Sequence, residues 1–107
     1  MYVQILTMQA PAGRIAELRE LIGTEYLPAL QGRQGFKSAH LLEQVDDRDH
    51  TKLIIYWDSQ ASVENTQRTG VLAGSTTSIV ARMPGLKIMR DSYIVKVSAT
   101  EMPEATR

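Results

Sequence analysis

Residues 52–59 constrain the fold of this chain more than any other segment. Five apolar or aromatic residues, 53–57, follow one another without a polar break, a pattern typical of a strand buried on both faces. Asp58 and Ser59 come next, and their short side-chain oxygens can accept the free N–H groups of a first helical turn. The segment therefore predicts a buried strand that leads directly into a helix, with Trp57 at the junction.

Length and composition indicate a single domain without disulfides. The chain has 107 residues, of which 43% are hydrophobic and 22% charged, and 12 basic residues balance 12 acidic ones. A domain of this length buries about two-thirds of its surface on folding. The zero net charge gives no electrostatic basis for binding nucleic acid or an anionic membrane. The sequence has no cysteine, which excludes thiolate nucleophiles and thiolate metal ligands.

The apolar runs of the chain favour a cytoplasmic protein that does not enter membranes. Residues 2–8 form a strand-like run directly after Met1, without the basic and long apolar regions of a signal peptide. No run approaches the roughly 20 apolar residues that a membrane-spanning helix needs. The lack of cysteine also agrees with a reducing compartment.

Four strands are predicted where β-branched and aromatic residues cluster, at residues 2–8, 36–43, 51–57 and 86–97. The charged residues 46–49 form the predicted turn between the two middle strands, which are expected to pair as a hairpin. The intervening segments have helical spacing instead. Strands and helices therefore alternate in the order β-α-β-β-α-β.

The two predicted helical regions differ in strength. The first begins at Arg14 with a regular apolar stripe, and Pro28 is expected to end or kink it near Leu27. The second opens after Ser59 but is polar in its middle, and Gly70 and Gly74 are expected to interrupt it. A last helical stretch is predicted at residues 78–83.

This element order is that of the ferredoxin-like split βαβ fold, of the α+β class. Two helices cover only one face of such a sheet, so the apolar third strand needs a second cover. A second copy of the chain, packed sheet to sheet, is the simplest cover, and a monomer with an exposed apolar face is the alternative. The domain is predicted to span residues 1–97, followed by a polar tail at 98–107.

Three pieces of the sequence, in this order and spacing, resemble the antibiotic biosynthesis monooxygenase family. The first is the turn at residues 11–13, Pro-Ala-Gly; the second is Pro-Ala-Leu at 28–30 ahead of Gln-Gly-Phe at 34–36. The third is Ile-Tyr-Trp-Asp-Ser at 55–59, similar to the strand-ending Trp-Glu-Ser of that family. The resemblance extends to about Val97. It implies a dimeric α+β barrel with an apolar cavity between sheet and helices.

The resemblance also implies several possible activities. Some members of that family oxidise electron-rich aromatic or polyketide substrates with O2 and without metal or flavin, others degrade haem, and many have no known activity. The haem-degrading branch uses a histidine on the second helix and an asparagine on the first strand. Here residues 60–83 contain no histidine, and Thr7 stands near the end of the first strand, so haem degradation is disfavoured.

The same residues give no basis for a metal or an organic cofactor. The two histidines, His40 and His50, lie in different predicted strands without a cysteine near either, which does not match a metal-ligand pattern. No glycine-rich phosphate loop is present. We therefore expect neither metal nor cofactor.

His40 and Asn65 are the predicted catalytic residues. By strand alternation His40 shares a face with Phe36, Ser38 and Leu42. If that face meets the helices, His40 can take a proton from a phenol in the cavity; otherwise it lies at the sheet edge or the dimer interface. Asn65 lies in the polar middle of the second helix, where it either orients a hydroxylated ligand or belongs to a marginal helix.

Trp57, Tyr26, Met89 and Arg82 are the predicted substrate-binding residues. Trp57 can stack on a flat ring or simply close the core, and Tyr26 would cap the cavity from the end of the first helix. Met89 would supply an adaptable apolar wall. Arg82 would pair with a ligand oxyanion, or lie solvated on the surface.

Together with these patterns, the resemblance implies a homodimeric, cofactor-independent monooxygenase that acts on an aromatic or polyketide-like small molecule. One alternative is a non-catalytic ligand-binding or stress-response protein of the same fold, and another is a cofactor-free isomerase or cyclase. An enzyme needs a titratable group inside the cavity, so a His40 that faces a partner sheet favours the ligand-binding protein. An isomerase would turn over without O2.

Overall fold

The computed structural model describes residues 1–100. Its four antiparallel strands form one sheet in the order β2-β3-β1-β4; they are β1 (Tyr2–Gln9), β2 (Phe36–Gln44), β3 (Asp47–Trp57) and β4 (Lys87–Ile94). The helices are α1 (Ile15–Leu21), α2 (Leu27–Gln31), α3 (Gln60–Thr69) and α4 (Val71–Arg82), with a π-helical turn (Ile22–Tyr26) between the first two. This arrangement confirms the predicted ferredoxin-like α+β class.

The helices pack on one face of the sheet and bury the core there. Leu53, Ile55 and Trp57 of β3 are fully buried on this helix face, whereas Ile54 and Tyr56, which alternate with them, are only half-buried. The prediction of a strand buried on both faces is therefore correct for one face and only partly correct for the other. No helix within residues 1–100 is long and apolar enough to cross a membrane.

The opposite face, called the open face below, carries no helix. Cross-strand partners share a face, so the pairing registers assign its residues strand by strand. They are Ser38, His40 and Leu42 of β2, Lys52, Ile54 and Tyr56 of β3, Val3, Ile5 and Thr7 of β1, and Met89, Asp91 and Tyr93 of β4. Met89 and Tyr93 are more than half exposed. The sheet thus has one covered and one uncovered face.

A bulge at the start of β2 changes the alternation of that strand. Phe36 pairs with Trp57 and Ser38 with Tyr56, so Lys37 is an extra residue with no partner of its own. An extra residue reverses the side to which the following side chains point. Phe36 therefore lies on the helix face, with its ring edge-on to Trp57 at 5.8 Å between centroids, whereas Ser38 and the alternate residues after it lie on the open face.

The hairpin between β2 and β3 is tighter than predicted. Its turn is Val45–Asp46, and Gln44 pairs directly with Asp47. Charged residues at 47–49, predicted as part of the turn, instead begin β3. A two-residue connection matches the twist of paired strands, so the ladder extends to the tip and β3 gains four residues over the prediction.

The first helical region continues past Pro28 through a π-helical turn. Proline has no backbone N–H and cannot donate to the residue four positions earlier. The backbone N–H of Leu27 donates instead to the carbonyl of Ile22, five positions earlier. Pro28 then occupies the first turn of α2, where a free N–H is not required. The predicted helix end near Leu27 is therefore replaced by a change of helical pitch, and the helix ends at Gln31.

The second helical region is better formed than the sequence predicts. Ser59 is the N-cap of α3, and its hydroxyl accepts the backbone N–H of Ser62 at 3.3 Å, as the prediction required. Gly70, in the left-handed conformation with φ of 72°, ends α3, and α4 begins at the next residue. Gly74 does not interrupt α4, because a glycine inside a helix only weakens it.

The last strand is shorter than predicted. β4 ends at Ile94 rather than Val97, although the backbone N–H of Val95 still donates to the carbonyl of Met1 at 3.0 Å. Residues 98–100 have no regular secondary structure. The rest of the predicted tail, 101–107, lies outside the described residues, and the division into a domain at 1–97 and a tail at 98–107 stays a prediction.

Gly35, just before β2, lies close to the residues that follow β3. Its φ is 83°, and a Cβ atom there would overlap the side chains of Ser62 and Asp58. Its carbonyl accepts the backbone N–H of Asp58 at 2.9 Å. Only glycine combines this conformation with this contact.

Gly35→Ala should therefore lower the free energy of unfolding by about 2 kcal/mol or more, from backbone strain and overlap together. Urea denaturation with circular dichroism measures the change. Gly74→Ala is the matched control, because a Cβ there meets no atom within 4 Å, and it should stabilise α4 by about 0.5–1 kcal/mol. Equal stability of Gly35→Ala and the wild type would contradict this account of the junction.

Candidate functional site

A cavity of about 160 Å³ lies between the helix face of the sheet and the second helical region. Strands β1, β3 and β4 supply its polar floor, and α3 and α4 supply most of its apolar wall. Its lining residues are Gln4, Tyr26, Trp57, Val63, Gln67, Leu72, Ala73 and Arg90. The lining combines two aromatic side chains with one charged group, which is the pattern of a site for a small, partly polar aromatic ligand.

Trp57 and Gln4 form a buried pair on the cavity floor. The indole N–H of Trp57 donates to Oε1 of Gln4 at 3.1 Å, and the two residues are 0% and 5% exposed. A buried N–H without an acceptor is costly, so this bond fixes both side chains. Since the Gln4 carbonyl oxygen is thereby occupied, its amide N–H groups are what this residue can offer to a ligand.

Tyr26 closes the cavity at the end of the π-helical turn and is 2% exposed. Burial raises the pKa of its phenol, and the nearby Arg90 and Thr76 offset only part of that rise. At neutral pH the side chain is therefore a neutral phenol. It can donate a hydrogen bond to a ligand oxygen but is a poor base.

Arg90 contributes the positive charge of the cavity. It lies on the helix face of β4, where it pairs across the ladder with Leu6. Among residues 1–100, no carboxylate oxygen lies within 4 Å of its guanidinium. Arg90 is also exposed, so the cavity opens to solvent along β4. An unneutralised guanidinium at the mouth of an aromatic cavity favours a ligand with an ionised oxygen.

Comparison with protein families gives a match that covers most of the chain. The model described as "Antibiotic biosynthesis monooxygenase" matches residues 1–72. The chain belongs to this family. No curated protein matches the chain.

Solved structures with the same fold extend the comparison beyond residue 72. A Deinococcus radiodurans protein of the antibiotic biosynthesis monooxygenase type superposes with a TM-score of 0.79 at 15% identity, covering 96% of this chain and 100% of its own. SnoaB from Streptomyces nogalater, described as a cofactor-independent oxygenase, gives 0.75 at 13% identity, covering 94% and 98%. Rv0793 from Mycobacterium tuberculosis gives 0.69 at 14% identity, covering 94% and 100%. At these identities the likeness concerns the fold.

In this antibiotic biosynthesis monooxygenase family member, two of the six predicted site residues line the cavity. Trp57 and Tyr26 are both there, and their contribution to ligand binding stays a prediction. Trp57 was expected from its place at the end of β3, and Tyr26 from its place at the end of the first helix. The structure therefore brings the two predicted aromatic groups to one site.

His40 does not line the cavity, so of the two placements left open by the sequence the one inside the cavity is not found, and its catalytic role stays a prediction. The bulge at Lys37 moves His40 to the open face, where it is exposed and its ring lies 6.2 Å from that of Tyr56, edge-on. Regular strand alternation from Phe36 would place His40 on the helix face, and the bulge reverses it. His40 takes instead the alternative position, on the face that a partner sheet would cover.

Asn65, Met89 and Arg82 also lie away from the cavity. Asn65 is exposed on α3, accepts a hydrogen bond from Arg68 at 3.3 Å, and borders a separate shallow surface pocket. Met89 pairs with Thr7 on the open face and is 66% exposed. Arg82 forms an ion pair with Glu25 on the helix surface. Among the polar residues of α3, Asn65 is exposed, whereas Thr66 is buried and Gln67 lines the cavity. The sequence alone does not distinguish these positions.

Three polar cavity residues, Gln4, Gln67 and Arg90, are not among the predicted site residues. The signal for Gln4 was a polar residue in an otherwise apolar β1, at the position that pairs with Ile55 of the helix face. The signal for Arg90 was its alternation with Ile88, a partly buried residue of the core. Both signals require the strand register, which the sequence pattern alone does not provide.

The raised pKa of Tyr26 predicts a loss of stability at high pH. As the pH rises, the unfolded chain loses its phenol proton first, near pH 10, so the free energy of unfolding falls from about that pH up to the higher pKa of the folded state. Urea denaturation at a series of pH values from about 8 to 11 measures the slope. Tyr26→Phe should show a smaller decrease, and an identical slope in both proteins would contradict the assignment.

Proposed function

We propose that this protein oxidises a small hydroxylated aromatic compound with O2, without a metal or an organic cofactor, in the cavity between the sheet and α3–α4. The observation that carries the proposal is the combination of Trp57 and Tyr26 as aromatic walls with Arg90, which forms no ion pair within residues 1–100. Membership of the family, and the fold shared with SnoaB, described as a cofactor-independent oxygenase, support the same class of reaction.

The cavity residues would stabilise the ionised form of the substrate. A guanidinium close to a phenol or enol lowers the pKa of that group, because an opposite charge favours the anion. The neutral phenol of Tyr26 and the amide N–H groups of Gln4 would donate hydrogen bonds to the same oxygen. Trp57 would hold the ring plane. Fixing the ring in this way holds its oxygen at the donors and prepares it for reaction.

The reaction then needs no reductant besides the substrate. The substrate anion passes one electron to O2, and the resulting substrate radical and superoxide combine to form a C–O bond. Uptake of a proton gives a hydroperoxide. Cleavage of its O–O bond, with loss of the remaining hydrogen from the same carbon, leaves a carbonyl and releases water. One oxygen atom enters the product, the other enters water, and the substrate supplies all four electrons.

The size of the cavity favours a small ring system. A protein cavity of about 150 Å³ accommodates a benzene molecule, and this cavity measures about 160 Å³. We therefore propose that one ring lies between Trp57 and Tyr26. Any further part of the substrate would extend past Arg90, where the cavity opens along β4.

A second candidate function is that of a ligand-binding protein without catalytic activity. It is supported by the position of His40, since the cavity lining contains no histidine and a substrate proton would have to leave to water. A cofactor-free isomerase or cyclase is the third candidate, and its turnover would not consume O2. The proposal also includes a homodimer through the open face and a cytoplasmic location.

Oxygen consumption by the chelator-treated protein tests the proposal. The substrates would be catechols, naphthohydroquinones and anthrones, measured with an oxygen electrode. We expect uptake that survives the chelator and falls by roughly 10- to 100-fold in Arg90→Gln, because a charge aimed at the developing anion is worth about 1.4–2.7 kcal/mol.

Arg48→Gln is the matched control. It removes the same charge from an exposed position on β3, near the hairpin turn, and should leave the rate unchanged. Absence of uptake on every substrate, together with tight binding of the same compounds, would favour the ligand-binding protein. Anaerobic turnover would favour the isomerase or cyclase.

A further inference from the structure

A second pocket, called the polar pocket below, lies on a different side of α3 from the cavity. It has a volume of about 160 Å³ and is formed between α3 and the turn that connects α2 to β2. Its lining residues are Gly32, Arg33, Gln34, Asn65, Thr66 and Thr69. No acidic residue belongs to this set, and none of the six lines the cavity. The polar pocket is therefore distinct from the site described above.

Thr66 supplies a buried hydroxyl to the polar pocket, and this side chain is only 4% exposed. Other helical threonines donate their hydroxyl to a carbonyl three or four residues earlier; they are Thr24, Thr69, Thr76 and Thr77. The hydroxyl of Thr66 forms no such bond and has no other partner within residues 1–100. A buried hydroxyl without a partner is costly. Its place in the pocket lining thus points to a ligand that would satisfy it.

Arg33 supplies positive charge, and three hydrogen bonds hold it in place. Its backbone N–H donates to the carbonyl of Leu30 at 3.0 Å, and its carbonyl accepts the N–H of Phe36 at 3.2 Å. Its side-chain Nε donates to the carbonyl of Ala29 at 3.3 Å. Among residues 1–100, no carboxylate oxygen lies within 4 Å of its half-buried guanidinium. The terminal N–H groups of Arg33 therefore remain for a ligand.

Asn65 adds further donors and links the polar pocket to a second guanidinium. Its Oδ1 accepts a hydrogen bond from Arg68 at 3.3 Å, so its amide N–H groups are what Asn65 can offer to a ligand. Arg68 also forms no ion pair within residues 1–100. The hydroxyl of Thr69, in contrast, is already used, since it donates to the carbonyl of Thr66 and accepts the N–H of Val71. The available groups are thus mainly donors next to positive charge.

We propose that the polar pocket binds a small oxyanion, a phosphate or a carboxylate group, through the guanidinium of Arg33 and the hydroxyl of Thr66. An ionised oxygen accepts strong, charge-assisted hydrogen bonds from a guanidinium. The amide of Asn65 would complete the donor set. A neutral ligand would leave the positive charge of the pocket without a counter-charge. The proposal goes beyond the oxygenase and does not depend on it, because the two sites share no residue.

Arg90 in the cavity is the competing position for an anion, and α3 separates the two. Val63 and Gln67 of α3 line the cavity, whereas Asn65 and Thr66 line the polar pocket. A measurement that locates the bound anion residue by residue therefore distinguishes binding in the polar pocket from binding beside Arg90.

Titration of the ¹⁵N-labelled protein with inorganic phosphate and, separately, with acetate tests the proposal by NMR at constant ionic strength. We expect saturable shifts at the backbone amides of Gly32, Gln34, Asn65 and Thr66. A shallow polar site should give a dissociation constant of about 1–10 mM for the tighter anion. Saturation by either anion at these residues supports the site, and the tighter of the two identifies the source of the oxyanion.

Two variants identify the groups that bind the anion. Arg33→Gln and Thr66→Val should each raise the dissociation constant by roughly 10-fold or more, since each removes a hydrogen bond to a charged oxygen. Valine has nearly the shape of threonine, and the hydroxyl that it lacks has no partner in the protein. Without added anion, Thr66→Val should therefore unfold at the same urea concentration as the wild type or a higher one. Loss of binding is thereby separated from loss of folding.

Arg48→Gln is the control for the change in net charge, because Arg48 is exposed on β3, and it should leave the dissociation constant unchanged. Shifts that do not saturate, or that saturate at Gln4 and the indole N–H of Trp57 instead, would overturn the proposal. Equal affinity of Thr66→Val and the wild type would do the same. Oxygen uptake is a separate measurement, so failure of one proposal is not confused with failure of the other.

Discussion

The hydrogen bond between the indole of Trp57 and Gln4 connects the core, the sheet and the cavity. It joins β3 to β1 at 3.1 Å, while the same indole ring packs edge-on against Phe36 of β2. Without the Gln4 acceptor, the indole N–H would be buried unpaired at a cost of about 1–3 kcal/mol. The direction in which Gln4 presents its amide to the cavity is thus determined by core packing. Conditions that loosen this end of the core would also disturb the polar floor of the site.

The one-sided helix layer divides the sheet into two surfaces with different chemistry. On the helix face, the helices cover β1 more completely than β4. Leu6 of β1 is 2% exposed, whereas Arg90, its partner on β4, is exposed and lines the cavity. On the open face, the half-buried Ile54 and Ile5 leave apolar surface that a monomer would expose to water. The cavity and the uncovered apolar surface therefore lie on opposite sides of the same four strands.

The sequence predicts the fold well and the site only in part, for identifiable physical reasons. Strand composition and the Asp58–Ser59 cap are local signals, and they led to the right element order and the right start for α3. The face to which a strand residue points depends on the number of residues that separate it from the start of the strand. One bulged residue, Lys37, therefore reverses the face on which His40 lies. Arg90 and Gln4 join the cavity only through the register of β4 and β3 with β1, which is a long-range property. Local patterns do not contain it.

The cavity offers groups that can stabilise an anion rather than a side chain that can act as a base. Tyr26 lies in the cavity at the end of the π-helical turn, and burial raises the pKa of its phenol. The guanidinium of Arg90 offers only hydrogen-bond donors and no acceptor. Neither side chain is suited to accept a proton at neutral pH, so the chain would favour ionisation by stabilising the anion rather than by abstracting the proton. Such a site suits compounds that are already acidic and easily oxidised, since the barrier left for the protein to lower is then the transfer of an electron to O2.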